Sequence, residues 1–85
     1  MTLVHFKFRG RCSAARRTAV LAAVEAHGGR NARRAFPRLD SDVNLRRIYL
    51  AEAANPSEGA GLVAWLQAET GIEYAELAPT RLSFD

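Results

Sequence analysis

His5, His27 and Cys12 are the residues of this chain whose types best suit nucleophilic or acid–base chemistry. Such chemistry needs a base within hydrogen-bond reach of its nucleophile. The two histidines fall on different expected elements, and neither has a Ser or Cys beside it in sequence. Nothing in the spacing argues for a triad. Cys12 lies in a turn, Arg11-Cys12-Ser13, and reads as a neutral filler. A metal site built on that turn needs a second thiol, which the chain does not have. Gly28-Gly29 follows an expected helix instead of preceding one, so it is no phosphate-cradling loop. These residues point to a protein that is not an enzyme, with no cofactor and no metal.

Binding chemistry is better represented. Residues 1–47 carry eleven Lys/Arg against three Asp/Glu, a surplus of eight, while residues 48–85 carry one against six, a deficit of five. A basic half invites a nucleic-acid reading. Arg47 and an outward Tyr49 on one strand offer a cation and a ring on which a base stacks. Strand one offers only His5 outward, and the glycine-aromatic pattern of RNA-recognition strands is absent. The alternative is Arg on solvated faces, so nucleic acid is not the expected partner. The other candidates lie at the end of the chain. Glu76 and Tyr74 sit on a closing strand, and Leu82 and Phe84 on a tail with no core to join.

The elements that position these residues follow from periodicity. Leu3 to Arg9 alternates, with Val4, Phe6 and Phe8 on one side and His5, Lys7 and Arg9 on the other, which predicts a half-buried strand. Ser13 is an N-cap for a helix from Ala14 to about His27, with Ala19, Val20, Leu21, Ala23 and Val24 as its apolar stripe. Gly28-Gly29 ends it. Arg30 to Leu39 reads as an Arg-studded edge strand carrying Pro37. Asp40-Ser41-Asp42 turns the chain into a returning strand, Leu45 to Leu50, with Ile48 and Leu50 toward the core and Arg47 and Tyr49 outward. Asn55-Pro56-Ser57-Glu58 is an N-cap, a Pro at the first helical position and an acid at the third. Leu62, Val63, Trp65 and Leu66 give that second helix its apolar face. Gly71 stops it, and Ile72 to Leu77 is the fourth strand.

The order β-α-β-β-α-β, with right-handed crossovers, predicts an α+β ferredoxin-like domain. It has a four-stranded antiparallel sheet, two helices on one face, and the other face bare. Residues 1–78 form this single domain, and 79–85 form an extended C-terminal tail. At 85 residues there is room for one core. The chain is 48% hydrophobic and 25% charged, a globular composition. Ala supplies much of the apolar count, so the margin of burial over chain entropy is small and a bound partner would raise stability. One cysteine makes no internal disulfide. The opening Met1 to Lys7 has no basic segment followed by a long apolar run, so it is not a signal peptide. No segment reaches the length of a membrane span. A full-length chain of this kind is expected to be cytoplasmic, while an excised domain carries no such expectation.

The run Gly71-Ile72-Glu73-Tyr74-Ala75-Glu76 resembles the "G-V-x-Y-V-E" closing strand of subtilisin propeptides and related peptidase inhibitors. Leu3-Val4-His5-Phe6-Lys7 resembles that family's opening "Y-I-V-x-F-K" strand, and Gly28-Gly29-Arg30 to Phe36-Pro37 its "G-G-x-V … Y-P" passage. The pieces span nearly the whole chain in order. The resemblance implies a ferredoxin-like domain that inhibits or chaperones a subtilisin-like serine protease, or binds a protease-like domain, through its bare sheet face. Glu76 would match the family's acid at the enzyme's helix N-termini. The tail would run through the active-site cleft as an added strand, with Phe84 or Leu82 in the first specificity pocket. Ala78 stands where a second acid often follows. With Phe84 in that pocket, Arg81 falls where an apolar group is preferred. The alternative is a protein-association module, such as a homodimer or an intramolecular adaptor, using the same face with no protease target.

Overall fold

A computed structural model describes residues 2–38 and 41–78. Strand β1 (Thr2–Phe8) buries every second side chain, Val4, Phe6 and Phe8, each with no exposed surface. Helix α1 (Ala14–Val24) starts where Ser13 Oγ accepts the Arg16 N–H at 3.1 Å. It buries Val20 and Val24, tightens into a 3-10 turn at Glu25–His27, and ends at Gly28, whose φ of 90° only glycine adopts readily. Strand β2 (Gly29–Arg34) follows directly. A second 3-10 turn, Leu45–Arg47, leads into β3 (Ile48–Ala53). Helix α2 (Pro56–Ala68) begins with Pro56 at its first position, and Asn55 Oδ1 accepts the Glu58 N–H at 2.8 Å. A cap of this type contributes about 1 kcal/mol. Strand β4 (Ile72–Leu77) is the last regular element among the described residues.

The sheet is antiparallel in the order β2-β3-β1-β4. With both helices on one face, this is the ferredoxin-like α+β arrangement. The core lies between sheet and helices. Phe6, Phe8, Val4 and Val24 meet Leu62 and Leu66 there, with Ile72, Ala75 and Ala51 around them. Trp65 half-covers its edge by stacking on His27, ring centroids 4.0 Å apart. Ala19, expected on the buried stripe of α1, is exposed. α1 is a short helix, and two inward valines with half-buried Leu21 and Ala23 already span its contact.

The middle of the chain departs most from its sequence pattern. The returning strand begins at Ile48, not Leu45, because the loop before it finds local partners. Asp42 Oδ1 accepts the N–H groups of Asn44 and Leu45 at 2.9 and 3.0 Å. Arg47 donates Nε to the Val43 carbonyl at 3.0 Å and Nη2 to Asn44 Oδ1 at 2.7 Å. These bonds hold 42–47 in a turn and compete with strand pairing. The facing of β3 is also reversed. Val4 pairs with Ala51 and Phe6 with Tyr49, so Tyr49, Ala51 and Ala53 lie on the core side while Ile48, Leu50 and Glu52 lie on the open side. The small residues go inward because α2 comes close there: a side-chain carbon on Gly59 would lie 3.7 Å from Ala53 Cβ. A one-residue change of phase turns every side chain over.

Two bulges set the remaining registers. In β4, Lys7 pairs with Tyr74 and Phe8 with Ile72, leaving Glu73 as the extra residue. That is why Ile72 and Ala75, three apart, are both buried. In β2, Arg30 pairs with Glu52 and Arg33 with Leu50, which places an extra residue between them. Asn31 takes a φ of 56° at this point, a left-handed conformation that Asn tolerates better than most residues. Its Nδ2 donates to Glu52 Oε2 at 2.9 Å, and Arg33 Nη1 reaches the same oxygen at 3.2 Å.

Candidate functional site

The sheet face away from the helices is built by alternation and by the two bulges. Reading across β2, β3, β1 and β4, one row is Arg33, Leu50, His5 and Glu76, and the next brings Ile48, Lys7 and Tyr74 together. A third row sets Arg30 beside Glu52 and Leu3. The centre is apolar, with half-buried Leu3, Ile48, Leu50 and Tyr74. The β2 edge is basic and the β4 edge acidic. His5 Nε2 lies 3.0 Å from Glu76 Oε1, a hydrogen bond when that nitrogen carries its proton and an ion pair when the ring is fully protonated. Lys7 Nζ lies 3.2 Å from Glu73. The Tyr74 ring meets the His5 ring edge-on, centroids 5.7 Å apart.

Glu76 therefore stands on the open face as its alternation requires. Its side chain is 65% exposed, so the His5 contact leaves it accessible to an incoming group and contributes little to stability. Tyr74 lies beside it, on the same face. Two other expected members are elsewhere. Tyr49 points to the core, where it stacks on Phe6 at 5.9 Å and meets Phe8 edge-on at 5.3 Å. Arg47 precedes the strand, and its guanidinium also donates to the Phe8 carbonyl at 3.3 Å. Their joint use as a base-stacking pair on the open face is overturned by the phase of β3. Leu82 and Phe84 lie outside the described residues. The members that sequence reading missed are Ile48, Leu50, Glu52 and Arg33. The turn chemistry of Asp42 and Asn44 is a signal in the sequence for the later strand start; the side that β3 turns outward is set by its pairing with β1.

The Tyr74 phenol is held above its ordinary value, first by burial and then by the negative charges of Glu76 and Glu73. The folded state therefore keeps this proton at a pH where the unfolded chain, titrating near about 10, has lost it. The resulting stability is complete below that pH and disappears as pH rises through the raised value. Urea midpoints measured into the alkaline range should fall less steeply for Tyr74→Phe than for the parent. Parallel curves would show that Tyr74 has no such role.

Among the described residues, no group of three or more His, Cys, Asp or Glu is placed to hold a metal ion. No helix among them is long and apolar enough to cross a membrane. Comparison with family models, with curated proteins and with solved structures returned no match. The face itself offers an apolar centre between two edges of opposite charge, which is chemistry for docking.

Proposed function

We propose that this chain is a non-catalytic binding domain that docks its uncovered sheet face on a subtilisin-like serine protease, inhibiting or chaperoning it as the propeptides it resembles do. The carrying observation is the open face itself, with Leu3, Ile48, Leu50 and Tyr74 at its centre and an accessible Glu76 on edge strand β4. The element order is the one the resemblance implies. The ladder runs one residue past β4, where Ala78 N donates to the Leu3 carbonyl at 2.8 Å. The residues beyond it are the ones that would enter the protease cleft as an added strand. Glu76 would meet the partner's helix N-termini, where unpaired N–H groups favour a carboxylate.

Titration of a subtilisin-type protease with the purified chain tests this reading. Inhibition should be lost on removal of residues 79–85 and on Leu50→Asp, which puts a charge at the centre of the face without touching the core. Glu76→Gln should weaken it by about two- to tenfold, the range of a charge–helix-end interaction. A parent chain that leaves proteolysis unchanged, or a truncated chain as potent as the parent, would sink the proposal.

A second reading, self-association through the same face, is favoured by one observation. Arg30 and Arg33 lie on the β2 side and Glu73 and Glu76 on β4. A twofold axis parallel to the strands would set each basic edge against the partner copy's acidic edge. Light scattering distinguishes the two: a dimer weakened by Arg33→Glu and by Leu50→Asp supports association between copies.

A further inference from the structure

A cluster of positive charge lies away from the open face. On the helix side, where β2 meets β3, Arg17, Arg34, Arg46, Arg47 and Tyr49 line a cleft of about 280 Å³. The residues come from α1, β2, the turn before β3, and β3 itself, so only the folded chain brings them together. Arg34 reaches this side because it pairs with Tyr49 on the core-facing phase of the ladder. Arg47 is held in place by the Val43 and Phe8 carbonyls and Asn44 Oδ1, all neutral acceptors, so its charge is not cancelled. The carboxylates that pair with cations among the described residues, Glu52, Glu69, Glu73 and Glu76, are spent on Arg33, Arg16, Lys7 and His5. Among the described residues no acidic side chain lines the cleft; Arg17 and Arg46 make no ion pair there, while Arg34 has an interaction of its own.

The guanidinium groups of Arg17, Arg46 and Arg47 around one small volume repel each other and raise the local positive potential. A multivalent anion turns that repulsion into attraction. Guanidinium forks match phosphate oxygens two at a time, and a fork already fixed, as Arg47 is, loses little freedom on binding. The volume sits just below the usual range for whole small-molecule ligands. It suits a diphosphate-sized group. We propose that this cleft is a phosphate-binding site, taking a di- or polyphosphate group carried either by a small molecule or by a nucleic-acid backbone. It is separate from the open sheet face and does not depend on the partner assigned to that face.

Isothermal titration calorimetry of the full chain with pyrophosphate and with a short oligouridylate, each at low and raised salt, tests the site. Pyrophosphate should bind saturably with one site per chain. Arg17→Ala combined with Arg46→Ala should weaken binding at least about tenfold, since hydrogen bonds to charged groups are lost on two sides. Both residues make no side-chain hydrogen bond or ion pair among the described residues, so the fold should tolerate the change. Arg11→Ala combined with Arg16→Ala removes equal charge outside the cleft and should leave binding unchanged. Oligouridylate that binds with a steep salt dependence, is displaced by pyrophosphate and is weakened by the first pair alone identifies a nucleic-acid backbone as the source of the phosphates. Pyrophosphate binding without oligouridylate binding identifies a small molecule. Absence of saturable binding by both probes, or equal losses in the two paired variants, would overturn the site.

Discussion

Phe6→Ala is expected to remove about 3–5 kcal/mol of stability, enough to leave a domain of this size largely unfolded at ambient temperature. Phe6 has no exposed surface and touches two aromatic neighbours, Phe8 at 5.8 Å and Tyr49 at 5.9 Å between centroids. The cavity would open at the centre of the sheet's core side, where β1 is flanked on both edges and the backbone cannot collapse into it. Tyr49→Ala should destabilise through the same cluster, by about 2–3 kcal/mol, because its ring is only half-buried and loses two ring contacts. Leu50→Ala, one residue further along the same strand, should cost well under either. Urea denaturation of the three variants reads the phase of β3 directly. A larger loss at Leu50 than at Tyr49 would mean that the strand is turned over.

Gly29→Ala should be the most costly single-carbon change, at about 1–3 kcal/mol or above. A side-chain carbon there would fall 2.4 Å from Val24 Cγ1, 2.9 Å from Leu62 Cδ2 and 3.3 Å from the Val24 carbonyl oxygen. Val24 and Leu62 have no exposed surface, and they belong to different helices, so relief at one presses the other onto the sheet. Adding Val24→Ala should recover part of the loss, giving a double variant more stable than the sum of the two single changes. Strict additivity in thermal or urea unfolding would show that the contact is not made.

The element order was legible because each signal for it is local. Alternation marks β1, Ser13 and Asn55 mark the helix starts, and Gly28 with its φ of 90° marks the end of the first helical segment. The candidate face was legible only in part. β1 puts His5 and Lys7 outward and β4 puts Tyr74 and Glu76 outward, as their patterns suggest. On β3 the pattern misled, since Ile48 and Leu50 are larger aliphatics than Ala51 and Ala53 and by size read as core residues. The space beneath α2 selected the smaller pair, and Tyr49 filled the wider gap beside Phe6 and Phe8.

By itself, then, the sequence determined the number, kind and order of the elements, because capping, alternation and helix termination act over a few residues. Tertiary structure alone decided which side of β3 faces outward, where the Glu73 and Asn31 bulges shift the registers, and that arginines at 17, 34, 46 and 47 share one cleft. These outcomes depend on volumes and pairings between segments far apart in the chain. A one-residue phase, invisible to a local pattern, changes which groups a partner meets.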